Sequence, residues 1–276
     1  MAPSAPLAPE DILAFAADLA DAARPLALAY FRTPLDIVSK ADESPVTVAD
    51  RAIEAHLRGL IEARFPDHGI FGEEMGVKPG AEPDRGPVWV IDPIDGTKSF
   101  VAGLPLFGTL IALAEHGRPV LGVIDMPILN ERWHGAGGRA WLDGAPIRTG
   151  ARPLSEARLF VNSPDRFRGA EAEAVARLSG EVGLRRYGGD CYAYALLASG
   201  HCDLVLGAGL AVYDVFALMP VIEGAGGLIT DWQGRPITPD FDGRVVAAAN
   251  PALHGAALER LAGEPMEPPL ACFRSR

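Results

Sequence analysis

The chain has 276 residues and a formal net charge of −11. Its 49% hydrophobic and 22% charged composition supplies a substantial core, while the acidic balance argues against nucleic acid as a partner, since phosphate backbones attract Lys and Arg. Three cysteines (Cys191, Cys202, Cys272) without Cys-x-x-Cys spacing exclude a disulfide framework and fit a reducing cytoplasm. A small phosphorylated metabolite remains compatible with the charge, because bound divalent cations reverse it locally. No apolar run is long enough for a membrane span, so no membrane partner is expected. Met1–Pro9 lacks the basic start and apolar stretch of a signal peptide and is expected to be a frayed leader.

Along the chain, Ile12, Phe15, Ala16, Leu19 and Ala23 recur at helical spacing within residues 10–32. Pro25 is expected to kink or split that helix. Ile53, Leu57, Leu60 and Ile61 repeat the pattern over 48–64, with Asp50 in the first turn and Pro66 as the stop. Past Pro87 the texture changes to short runs at Val88–Ile91, Thr109–Ala114, Val120–Met126 and Arg132–Gly135, split by Gly and Pro. They predict an antiparallel meander. Beyond Arg148–Pro153 the pattern alternates. Strands are predicted at Leu159–Asn162, Gly183–Tyr187, Leu204–Leu206, Leu228–Thr230 and Val245–Ala248. Helices are predicted at Ala170–Leu178, Tyr192–Ala198, Val215–Glu223 and Pro251–Leu261. Alternation of this kind implies layered helices and sheets. Residues 1–150 are expected to carry the N-terminal helices and antiparallel sheet, and 151–276 an α/β half, within one compact unit.

The densest chemistry lies in Asp92-Pro93-Ile94-Asp95-Gly96-Thr97, directly after the strand Val88–Ile91. A turn forced by Pro93 and Gly96 can aim Asp92, Asp95, the Ile94 carbonyl and the Thr97 hydroxyl at one point. That all-oxygen set suits Mg²⁺ or Mn²⁺ rather than zinc. Two carboxylates held close repel unless a cation sits between them. Further acidic residues are Glu73 and Glu74 after Ile70-Phe71, Asp214 after Tyr213 at the start of a helix, and Asp50. Each alone also reads as a helix cap or a solvated side chain. Together they fit a pair of Mg²⁺ ions, roughly 3.5–4 Å apart, that clamps a phosphate and activates a water. Gly96 and Thr97 N–H groups, opening a helix, can cradle phosphate oxygens.

Four segments occur in order: Thr47-Val48-Ala49-Asp50, Gly72-Glu73-Glu74, Asp92 through Thr97 with Phe100, and Tyr213-Asp214-Val215 leading to Glu223-Gly224-Ala225-Gly226-Gly227. With them the chain resembles the inositol monophosphatase family, within the lithium-sensitive, Mg²⁺-dependent phosphatase superfamily, from about Pro9 to Leu261. The resemblance implies an α+β or α/β fold, a layered α/β/α/β/α sandwich, usually as a homodimer. It implies that Glu73, Asp92 and the Ile94 carbonyl hold one ion and that Asp92, Asp95 and Asp214 hold a second. Glu73 would share a third, weaker ion, and Mn²⁺ could substitute. Glu73 and Thr97 would activate the nucleophilic water, with Asp50 supporting Thr97. Lys40 matches a family lysine near the outer metal site.

Gly188-Gly189-Asp190-Cys191-Tyr192-Ala193-Tyr194, and Pro220 through Trp232, resemble the branch that hydrolyses L-histidinol phosphate in histidine biosynthesis. A carboxylate at Asp190 can pair with the amine or imidazole of that substrate; a helix N-cap is the alternative. Expected substrate contacts are Gly96, Thr97, Gly189, Asp190, Asp214 and one of Arg185 and Arg186, with Arg186 chosen. Gly207 departs from the resemblance, since the family usually places there a Glu that binds a substrate hydroxyl or amine. Ala211 and Val212 also lack the polar residue often found before the Tyr-Asp pair. Met126 and Trp133 read as core residues. The expected activity is a Mg²⁺-dependent phosphomonoesterase for histidinol phosphate, with inositol-1-phosphate or another polyol phosphate as the alternative. A metal-binding regulator without turnover is disfavoured, because Glu73, Asp92, Asp95, Thr97 and Asp214 are all present.

Overall fold

The computed structural model describes residues 9–34, 37–39, 45–82 and 86–262. Lys40 and Cys272 lie outside them. In chain order the elements are α1 (Pro9–Tyr30), β1 (Ile37–Ser39), β2 (Pro45–Thr47), α2 (Val48–Arg64), β3 (Gly69–Gly72), β4 (Gly76–Lys78), β5 (Val88–Asp95) and α3 (Thr97–Val101). Next come β6 (Gly108–Glu115), β7 (Arg118–Met126), β8 (Glu131–Ala136), β9 (Arg139–Leu142), β10 (Ala145–Pro146), β11 (Arg158–Val161), α4 (Ala170–Ser179), β12 (Leu184–Tyr187) and α5 (Asp190–Ala198). The chain continues through β13 (Leu204–Gly207), α6 (Val212–Val215), α7 (Leu218–Gly224), β14 (Leu228–Thr230), β15 (Val245–Ala248) and α8 (Pro251–Ala262).

Strands β5 to β10 form a meander in which each strand pairs antiparallel with the next. β3 joins it parallel to β5, with β4 at the edge, giving an eight-stranded sheet. A five-stranded sheet, in the order β12-β11-β13-β15-β14, is parallel at one side and antiparallel at the other. Side chains alternate across each strand, so each sheet feeds two cores. Helices α1 and α2 pack on one face of the large sheet through Leu19, Ile53, Leu57, Trp89 and Ile111. Between the sheets lie α5 and α7, with Leu110, Ile124, Val205 and Val245 around them. On the outer face of the small sheet, Leu204, Leu206 and Val246 meet α4 and α8. The order is therefore helices, sheet, helices, sheet, helices.

Two features fix these layers. The buried carboxylate of Asp125 on β7 binds Arg24 of α1 and Arg132 of β8, both at 2.6 Å, tying the outer helix to the sheet. On the other face, glycines let α7 approach the strands. A Cβ on Gly122 would lie 2.1 Å from the Ala217 carbonyl oxygen, and one on Gly135 would lie 2.2 Å from that of Pro220. Only backbone fits there, as is common where glycine interrupts a strand.

Three sequence expectations need correction. Helix α1 runs unbroken past Pro25. Pro25 is exposed, so solvent can satisfy the carbonyl it frees, while Ala16, Leu19, Ala20, Ala23 and Ala27 stay fully buried around it. The segment Asp92–Asp95 belongs to β5 rather than to a turn. The helix predicted over Val215–Glu223 is two pieces, α6 and α7, and Asp214 lies inside the first.

Gly122→Ala is expected to cost about 1–3 kcal/mol or more through overpacking against α7, read as a lower urea midpoint. An unchanged midpoint would contradict the direct contact between α7 and the sheet.

Candidate active site

The end of β5 builds the centre of the site. Residues three apart point to opposite faces of a regular strand. Here Asp92 pairs with Leu110 but Asp95 pairs with Gly108, so β5 carries an extra residue. The bulge reverses the parity and turns both carboxylates to one side. Pro93 explains its position, because proline has no N–H for the ladder. The Pro93 carbonyl instead accepts the Thr109 hydroxyl at 2.8 Å. The Ile94 N–H donates to Asp92 Oδ1 at 3.1 Å. Gly96 follows at φ +87°, and the Thr97 hydroxyl donates to the Ile94 carbonyl at 3.1 Å.

Other layers supply the remaining groups. The N–H of Cys191, near the start of α5, donates to Asp95 Oδ2 at 2.5 Å. The Ala211 N–H donates to Asp214 Oδ2 at 2.6 Å, just before α6. Each of the three aspartates is thus held by one backbone N–H. Their carboxylate oxygens lie within 4.8 Å of one another.

Glu73 follows β3, and its N–H extends the β3–β5 pairing to the Ile91 carbonyl at 3.2 Å. Its loop is held from α2. Buried Glu54 accepts the Glu74 N–H at 2.7 Å and the Met75 N–H at 3.0 Å, and pairs with Arg58 at 2.8 Å. Gly72 has no alternative there, because a Cβ would lie 2.0 Å from Glu54 Oε1.

These groups line a cavity of about 200 Å³. Its electrostatics follow from the crowding. Burial pushes the Asp92 carboxyl well above its ordinary range, and the charges of Glu73, Asp95 and Asp214 add to the rise. Asp95 is raised well above its range by burial and by Asp190 and Asp214, against the hydrogen bond from Cys191. Asp214 is raised to about 7, mainly by burial, against the hydrogen bond from Ala211. A hard divalent cation matches this donor set.

Of the residues singled out in the sequence, Glu73, Asp92, Ile94, Asp95, Gly96, Thr97, Asp190 and Asp214 all line the cavity. Gly189, the N-cap of α5, is not itself among the lining residues, whereas its neighbour Gly188 is. Asp50 is buried in the first turn of α2 and is not part of the lining. Arg186 is exposed on the edge strand β12 and is not itself among the lining residues, although its register partner Phe160 is; among the described residues, Lys98 and Arg166 are the cationic residues that line the cavity. Met126 and Trp133 are buried in the core. Sequence reasoning missed Glu54, although an acidic residue on the apolar face of α2, four positions before Arg58, is a usable signal. Arg166 carries no such signal.

Comparison with known proteins agrees with this geometry. Residues 8–265 match the inositol monophosphatase family. The bifunctional phosphatase IMPL2, chloroplastic, of Arabidopsis thaliana is 49% identical, in a match that covers 88% of this chain and 72% of that relative. A histidinol-phosphatase of Chlorobaculum parvum is 39% identical, covering 85% of this chain and 91% of its own length. The solved structure of an inositol monophosphatase from Zymomonas mobilis superposes with a TM-score of 0.83 at 44% identity, over 93% of this chain and 99% of that one. The layered sandwich and the sequence match agree: the chain belongs to the inositol monophosphatase family and is a phosphoric monoester hydrolase.

Proposed function

We propose that this phosphatase hydrolyses L-histidinol phosphate, with Mg²⁺ held by Glu73, Asp92, Asp95, Asp214 and the Ile94 carbonyl. The donor set is all oxygen, and its crowded carboxyls are the kind that a divalent cation relieves. Bound there, Mg²⁺ supplies Lewis-acid neutralisation of the phosphoryl charge and makes water a better nucleophile at neutral pH. The Thr97 hydroxyl spends its proton on the Ile94 carbonyl, so its oxygen is left to accept a hydrogen bond from the attacking water. Glu73, on the same wall, takes the proton that the water gives up. The same reading takes the chain as a homodimer, on the strength of the family resemblance alone, and as cytoplasmic, from its few cysteines without Cys-x-x-Cys spacing.

Asp190 carries the choice of substrate. The N-cap of α5 is Gly189, so Asp190 does not serve as that cap. Its carboxylate instead accepts the Ser99 hydroxyl at 2.9 Å in the cavity wall. The residue adopts φ +45°, a conformation that costs free energy and clusters at functional sites. A carboxylate held in this way matches an amine or imidazolium on the leaving group. The relatives named histidinol-phosphatase support the same reading. A polyol phosphate is the second reading. Gly207 offers no side chain to a ligand, and the Zymomonas inositol monophosphatase, at 44%, is more identical than the Chlorobaculum histidinol-phosphatase at 39%.

Three outcomes are expected. First, kcat/KM for histidinol phosphate should exceed that for inositol-1-phosphate at least tenfold, about 1.4 kcal/mol; the reverse preference would overturn the substrate and leave the phosphatase class standing. Second, Asp92→Asn should abolish Mg²⁺-dependent phosphate release without lowering the Tm of the metal-free protein. Persistent turnover would remove Asp92 from the mechanism. Third, Asp92, Asp95 and Asp214 titrate above the ordinary 3.8 in the folded chain, Asp214 at about 7. Through that window the folded state binds more protons than the unfolded state, so the metal-free protein loses stability as pH rises. Mg²⁺ offsets the loss and should raise the Tm more at about pH 8 than at about pH 5. Equal shifts at both pH values would contradict the assignment of these carboxylates as ligands.

A further inference from the structure

The hydroxyl of Tyr194 is buried and has no hydrogen-bond partner among the described residues. Leaving such a group unpaired costs about 1–3 kcal/mol, and most native structures pair it. Tyr194 lies four residues after Asp190, so the two share one face of α5, and both line the cavity. Its oxygen sits in the hollow above Gly207. A Cβ at that glycine would lie 2.7 Å from the hydroxyl and 2.6 Å from Leu210 Cδ1. Leu210 is half-buried and also lines the cavity. The Leu210 side chain and the Tyr194 hydroxyl therefore border the same hollow at the cavity wall.

The surroundings say what this oxygen can meet. Burial, with the charges of Asp95, Asp214 and Asp190, pushes the phenol well above its ordinary range. It stays protonated, both donor and acceptor. Its unpartnered oxygen therefore has lone pairs available for a polar hydrogen.

We propose that Tyr194 is a specificity-determining residue, whose hydroxyl accepts a hydrogen bond from an N–H or O–H of the ester's leaving group at the Gly207 end of the cavity. The inference rests on the proposed function for its orientation, since phosphate held at the carboxylate cluster directs the leaving group along this wall. It goes beyond that reading in adding a second polar contact besides Asp190, one that an amine and a hydroxyl can both use.

The test compares Tyr194→Phe with the wild type on histidinol phosphate, inositol-1-phosphate and phenyl phosphate, whose leaving group brings no such hydrogen once bound as the ester. The ratio of kcat/KM on the better polar ester to that on phenyl phosphate should fall about tenfold. The Tm should not fall, because an unpaired buried hydroxyl is removed. An unchanged ratio, or a lower Tm, would overturn the assignment. Gly207→Ala should crowd the hydroxyl and lower the same ratio. The double variant should lose no more than the larger single loss, because both changes disrupt one contact; additive losses would overturn the shared contact. Should the wild type prefer inositol-1-phosphate, the histidinol assignment fails, and Tyr194 is still judged by the ratio on that ester.

Discussion

Carboxylates repel one another most where water is scarce. Asp92, Asp95 and Asp214 nevertheless bring oxygens within 4.8 Å of each other in a cavity wall. Left alone, such a group would spread apart or take up protons. The fold prevents the first by fixing each side chain to a backbone N–H, from Ile94, Cys191 and Ala211. Those bonds favour the charged form and partly oppose the rise in pKa at Asp95 and Asp214. In the proposed reading this arrangement is preorganised for a cation: the candidate ligands are held in place by the fold itself, which limits reorganisation on binding.

The layers exist, in effect, to meet at this point. The large sheet contributes Asp92 and Asp95 through a bulge at the end of β5. Asp190 and Tyr194 come from the helical layer between the sheets, and Asp214 from the short α6 nearby. Outside the large sheet, α2 supports the loop that carries Glu73 through Glu54. Gly122 and Gly135 allow α7, the helix just after Asp214, to rest on the strands. A shift in any one layer would move one of these carboxylates relative to the others, so the tightness of the core and the geometry of the site are linked.

Much of this was legible in the sequence because it depends on local chemistry. Apolar spacing located α2, α4 and α8 closely, since each has one buried stripe. The acidic segments could be read together because their order resembles a family pattern. The misses have physical causes. Pro25 is tolerated because it faces solvent while the opposite stripe of α1 is buried, a matter of tertiary packing. The bulge at Asp92–Asp95 depends on β6, whose register no local pattern reveals. That Arg166 lines the cavity was not legible either, because it depends on how the segment after β11 folds back over the site. Tyr194 reads as an apolar helix residue until its hydroxyl is seen above Gly207.

The account stands on convergence of these oxygens around a divalent ion. Anomalous scattering from a crystal of this protein soaked in Mn²⁺ tests that most directly. The expected result is an anomalous peak within coordination distance of Asp92 and at least one of Asp95, Asp214 and Glu73. An empty cluster at saturating Mn²⁺, or ions bound only to residues elsewhere, would contradict it.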